Sequence, residues 1–261
     1  MRKKYFGRVR YIKESQHTIA IPNGRIDFTL KKSSRRRTIS ISVDKKARIA
    51  VAAPSYSADK EIFQFINEKA KWISDKVIEA QKYQDDVNQK KFEHGYYFLF
   101  MGKEYPIKIE QRDRKRTLIT FNGSCWQVLL ADHIGPQQRQ KHIKEKMLKW
   151  YREQAKEVLG GRIFHFARII GLGPQRIAIR SQKRVWGNCD TRTQTINLNW
   201  QIILTPLSVI DYIIVHELCH LKVPNHSQRF WLEVKKILPQ YKESVKWLKI
   251  HAIDLAIPED D

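Results

Sequence analysis

A chain of 261 residues with 42% hydrophobic content can bury a sizeable core, as one large domain or two small ones, and is too apolar to stay disordered. Lys and Arg number 49 against 27 Asp and Glu, and the net charge of +22 favours anionic partners such as nucleic acid. The three cysteines, Cys125, Cys189 and Cys219, are odd in number and scattered, which argues against a disulfide framework and for reduced thiols.

The opening MRKKYFGRVRYIKES is basic but leads into no apolar stretch resembling a signal peptide, and no apolar run is long enough to span a bilayer. A cytoplasmic location and no membrane partner are therefore expected. The charge is uneven: from Thr205 onward seven basic residues face eight acidic ones, so 42 basic and 19 acidic residues lie upstream.

Up to about residue 57 the segments IDFTL, TISISV and ARIAVAAP are rich in β-branched residues and read as strands. SADKEIFQFINEKAKWISDKV follows as a helix, with Ser57 as its expected N-cap and Ile62, Phe65, Ile66, Lys69 and Ile73 at helical intervals. YYFLFMGKEYPIKIEQ, RTLITFNG and CWQVLLAD read as further strands, the last two joined across Asn122-Gly123. After Pro136 the pattern is helical to about Ile170, with a break expected at Gly160-Gly161 and an end at GLGP. IAIR and TINLNW then form short strands around a connecting loop, SQKRVWGNCDTRTQ. Thr205-Pro206 opens a helix to about Leu221, Pro224 stops it, Asn225 or Ser227 caps a second helix through Leu238, and Pro239 separates a third, YKESVKWLKIHA.

The fold class is α+β. A basic, mainly β region with a helix is expected over 1–135, a helical domain with a small sheet over 136–256, and an acidic tail over 257–261.

VHELCH holds the pattern HExxH. Residues four apart share a helix face, so His216 and His220 can present two imidazoles to one metal ion. A catalytic zinc takes three protein ligands and keeps one position for water, and Glu217 beside His216 can act as general base. His226 is the preferred third ligand because Pro224-Asn225 ends the helix and lets the chain fold back. Glu233 on the next helix is the alternative, and Glu243 a weaker one. The spacing to His226 also matches metzincins, but Val223 stands at their glycine position and no methionine follows the motif. Paired helix histidines also occur without metal. Here the motif lies on a well-signalled helix, follows the apolar run Ile213, Ile214, Val215, and precedes a third histidine after a break.

Taken in order, WGNC at Trp186 to Cys189, INLNW at Ile196 to Trp200 and DYIIVHELCHLKVPNHSQRFW at Asp211 to Trp231 resemble the YgjP-like family of zinc metallopeptidases. AKWI at Ala70 to Ile73, after basic strands, also fits, so the likeness runs from about Gly24. That family is related to minigluzincins and more distantly to the SprT and Spartan proteases, which act on DNA-bound proteins. The resemblance implies His216, His220 and His226 as ligands, Glu217 as base, Zn2+ as cofactor, and a protein or peptide substrate. Where the family commonly has Ser-Arg-Trp-Gly-Ser-Cys, this chain has Arg184-Val185-Trp186-Gly187-Asn188-Cys189, with its arginine one place earlier.

Trp186, Gly187 and Asn188 can line a substrate cleft, or equally form a tight turn around a buried tryptophan. TINLNW can be an edge that binds an extended peptide, or an interior strand. Phe230 and Trp231 read as core, and Cys219 as packing turned away from the histidine face. The clusters KKSSRRR (Lys31 to Arg37) and RDRKR (Arg112 to Arg116) fall between strands, either as solvated loops or as contacts to nucleic acid. Two rivals to hydrolysis remain: a nucleic-acid-binding protein with a structural zinc, and an inactive scaffold. Glu217 separates them, since only catalysis needs it.

Overall fold

The computed structural model describes residues 12–21, 24–44, 46–89, 91–182, 185–251, 255 and 257, so most of the basic opening, Arg184 and residues 258–261 of the expected tail lie outside the described residues. The chain forms two compact units, Met1–Asp86 and Val87–Asp261.

The first unit is a four-stranded sheet with helices. Strands β1 (Ile12–Ile21), β2 (Gly24–Ser33), β3 (Ser40–Val43) and β4 (Ile49–Pro54) are ordered β1-β2-β4-β3, with β2 and β4 parallel and the other pairs antiparallel. Alternation places Ile26, Phe28 and Leu30 of β2, and Ile49, Val51 and Ala53 of β4, in one buried cluster. Ile62 and Ile66 of α1 (Asp59–Glu68) and Ile73 of α2 (Ala70–Gln89) complete it. Each such isoleucine contributes about 1.5–3 kcal/mol by leaving water.

The expected single helix is two, interrupted at Lys69, whose backbone (φ −99°, ψ 7°) departs from helical values. Its N-cap is Ala58 rather than Ser57, which is held in the preceding turn by its N–H to the Pro54 carbonyl (3.2 Å). The carboxylate of Glu61 accepts the Ala58 N–H instead. Strand β1, which carries few apolar residues, has no counterpart among the segments read as strands.

The second unit begins with β5 (Tyr97–Phe100), β6 (Lys103–Arg112), β7 (Leu118–Phe121) and β8 (Trp126–Ala131), ordered β5-β6-β8-β7. YYFLFMGKEYPIKIEQ is thus a hairpin, turning at Met101 (φ 50°) and Gly102 (φ 78°). A distant stretch of chain anchors that turn: the N–H groups of Met101 and Gly102 donate to the carbonyls of Ile203 and Leu204. A Cβ at Gly102 would come within 2.6 Å of Pro206.

Helix α3 (Pro136–Ile170) runs unbroken through Gly160-Gly161, contrary to expectation. Tyr151, Ala155, Leu159 and Ile163 recur at intervals of four and are all buried on either side of the glycines. Their packing outweighs a propensity cost of about 1 kcal/mol per glycine.

A three-stranded sheet comes next in the chain: β9 (Arg176–Arg180), β10 (Gly187–Asp190) and β11 (Thr195–Asn199), ordered β10-β11-β9. The segment read as a loop therefore contains an edge strand, β10, and TINLN is the interior strand, parallel to β9 and antiparallel to β10.

A 3-10 turn, Trp200–Leu204, leads into α4 (Leu207–His220), then α5 (Gln228–Ile237) and α6 (Tyr241–His251). The start of α4 is one residue later than expected, with Pro206 as cap, because the Thr205 hydroxyl donates back to the Ile202 carbonyl (2.8 Å). Trp126, Val128 and Leu130 of β8 share one core cluster with Tyr151 of α3 and Ile214 and Leu218 of α4. The sheet read with the N-terminal region thus packs in the same unit as the histidine helix. Among the described residues no helix is long and apolar enough to cross a membrane.

Candidate metal centre

Helix α4 is apolar almost all round. Val209, Ile210, Ile213, Ile214, Val215, Leu218 and Cys219 are buried, which makes it a core helix and carries its histidines out of bulk water. The chain leaves α4 at Leu221, turns through Pro224-Asn225, and presents His226 just before α5.

The three imidazoles converge. His216 Nε2 lies 3.2 Å from His220 Nε2 and 3.0 Å from His226 Nε2, and one nitrogen from each of the three falls within 4.8 Å of the others. A partner on the far side fixes the tautomer of His220. The Val223 carbonyl can only accept, so His220 donates through Nδ1 (3.2 Å) and keeps the lone pair of Nε2 for the cluster. His216 Nδ1 meets the Tyr212 hydroxyl at 3.5 Å. Burial, then His220 and His226, push the His216 pKa down to about 3, and burial leads the lowering at His220. Ring nitrogens converging from three imidazoles are the donor set that a divalent transition metal takes.

Aromatic rings hold this arrangement. Phe230 stacks on His220 (centroids 4.5 Å, 27°), Trp231 on His226 (5.8 Å, 29°), and Tyr241 on Trp231 (5.4 Å, 15°). Phe230 is core, as expected, while Trp231 is half-buried and also walls the site. Tyr212 is a site residue that the sequence reading misses, although it stands four residues before His216 on the same helix face.

Glu217 is 6% exposed, and burial raises its pKa to about 7. Gly187 of β10 lies against it: a Cβ there would sit 2.9 Å from both Cγ and Oε1 of Glu217 and 3.0 Å from Leu198. Trp186 packs on the core, its carbonyl accepting the Asn199 N–H (2.8 Å), and Asn188 is exposed, accepting from Gln182. Among the described residues no hydrogen bond or ring contact joins Trp186 or Asn188 to the histidines.

Glu233 is engaged elsewhere, by Lys236 (2.7 Å) and Lys222 (3.5 Å), and Glu243 is exposed on α6. Burial, with the Glu217 and Asp190 carboxylates, pushes the Cys189 thiol up to about 11; Cys219, also mainly through burial, rises to about 11. Both stay protonated at neutral pH.

The sequence profile of the YgjP-like, metallopeptidase domain family matches residues 37–251. The chain belongs to the YgjP-like metallopeptidase family. No curated protein matches it. Among solved structures, this YgjP-like chain is similar to the metallopeptidase zymogen abylysin of Pyrococcus abyssi, at 28% identity over 35% of this chain and 92% of that one, with a TM-score of 0.33. It is also similar to the zymogen jannalysin of Methanocaldococcus jannaschii, at 20% identity over 37% and 94%, with a TM-score of 0.32. Family membership makes a peptidase acting on protein or peptide the coarse reading, and implies a metal ion that the histidine triad can hold.

Proposed function

We propose that this chain is a zinc-dependent peptidase in which His216, His220 and His226 hold the metal and Glu217 is the general base. The observation that carries the reading is the convergence of three Nε2 atoms beside a buried carboxylate on the same helix. When bound, zinc supplies a Lewis acid that polarises a peptide carbonyl and lowers the pKa of a water to about 7. Glu217 takes the proton of the attacking water and passes it to the leaving amine nitrogen. Its burial raises its pKa above the usual carboxylate range, which makes it a stronger base for the first half of that exchange.

The remaining residues position and shield. Tyr212 and the Val223 carbonyl orient His216 and His220, Phe230 covers the buried His220 ring, and Trp231 stacks on the exposed His226 ring. Among the described residues strand β10 has an unpaired edge, and with Trp186, Gly187 and Asn188 it is the surface on which we place the extended substrate, by strand addition. Glu233 is a poorer third ligand than His226, since ligation would break its two lysine pairs.

Metal content tests the ligand set. Purified protein should carry close to one zinc per chain, His220→Ala and His226→Ala should lose most of it, and Glu233→Gln should keep it. Full occupancy in His226→Ala together with loss in Glu233→Gln would transfer the third position to Glu233.

A further inference from the structure

Two adjoining depressions, of about 420 and 330 Å3, share Trp231, Tyr241 and Lys242. The first is also lined by Lys246 and Lys249 of α6, and the second by Lys235 of α5. Trp231 links them to the histidines, because its indole stacks on His226 and its other neighbour in the stack is Tyr241. Lysines at such helical intervals ordinarily decorate a solvated face. Here they rim a groove walled by aromatic rings, and among the described residues none of the four has a carboxylate partner, whereas Lys222 and Lys236 nearby both pair with Glu233.

The local charge is the more telling because this part of the chain has no cationic excess. Four of the seven basic residues after Thr205 line the two depressions, and none of Asp211, Glu217, Glu233 and Glu243 does. At 1.5 Å per residue, Lys242 and Lys249 stand about 10 Å apart along α6, a length that roughly three residues of an extended peptide span.

We propose that this groove is an acid-binding subsite, selecting peptide substrates that carry aspartate or glutamate along a stretch of about three residues. The proposal rests on the peptidase reading. An acidic side chain laid along α6 exchanges its hydration for ammonium groups that have no carboxylate partner among the described residues, while Trp231 and Tyr241 take the adjoining apolar atoms.

The test uses the zinc-loaded full chain and two fluorescent dodecapeptides that differ only in carrying three glutamates or three glutamines. The glutamate peptide should bind at least tenfold more tightly. That preference should vanish in K242Q/K246Q/K249Q and persist in K108Q/K141Q/K156Q, which removes the same charge from exposed positions on β6 and α3. Equal affinity for the two peptides overturns the proposal. So does an equal loss in both variants, which would mean only the general field of a +22 chain. Stronger Lys242-dependent binding of a short oligodeoxynucleotide than of the glutamate peptide would overturn it in favour of a nucleic-acid surface. Cleavage is scored separately: a glutamate peptide bound as expected but left intact sinks the hydrolytic reading and keeps the subsite, whereas equal binding with cleavage of both peptides does the reverse.

Discussion

At position 187 any side chain would collide with Glu217. Glycine lets β10 approach α4 closely enough to hold that carboxylate in place, and Gly187→Ala puts a methyl 2.9 Å from both Cγ and Oε1. The strain, about 1–3 kcal/mol by analogy with overpacked cores, falls on Glu217, the proposed general base, rather than on the imidazoles. Gly187→Ala should therefore keep its zinc while hydrolysis falls at least tenfold. Unchanged turnover would mean that the Glu217 position is not set by β10. The pairing of His216 with His220 was legible in the sequence because helix periodicity alone places them on one face. Tyr212 carried the same periodic signal, four residues before His216. The close approach of Gly187 carried none, since it depends on how β10 packs against α4.

Among the elements, α4 was readable from Thr205-Pro206 and its apolar run, and α5 and α6 from the prolines that separate them. Strand β10 was hidden because GNCD is polar and glycine-containing, and only pairing with β11 makes it extended. The continuity of α3 was hidden for the opposite reason: local propensity at Gly160-Gly161 is overridden by core contacts on both sides. Helix α3 is also pinned to α4 by Arg162, which donates through Nε and Nη2 to the two carboxylate oxygens of Asp211 at 2.6 Å each. The side chains are 28% and 13% exposed, between a surface pair and a buried one. Removing either partner should cost about 1–3 kcal/mol, lowering the melting temperature by several degrees. A double-variant cycle on Arg162→Ala and Asp211→Asn should show coupling, and purely additive losses would deny the pair any role in joining the two helices.

For the whole molecule, the α+β class followed from the succession of strand and helix patterns. The grouping of the second sheet with the histidine helix did not, because it rests on long-range contacts such as the Met101-Gly102 turn on Ile203 and Leu204. Charge is the remaining molecular property. With 42 basic and 19 acidic residues before Thr205, we propose that the upstream part binds DNA or RNA electrostatically, with little sequence preference and a steep salt dependence. Replacing Arg35, Arg36 and Arg37 by glutamine should shallow the salt slope and leave zinc content alone; no binding to single- or double-stranded oligonucleotides at low salt would reduce the excess to a solvated surface.

The central claim is that hydrolysis runs through Glu217 beside a three-histidine metal site. Turnover of a quenched-fluorescent unfolded protein by zinc-loaded wild type and Glu217→Gln, at equal measured zinc content, tests it most directly. The variant should retain metal and fold and lose at least roughly a hundredfold in rate, the scale of general-base catalysis. Equal rates in the two proteins would contradict the mechanism.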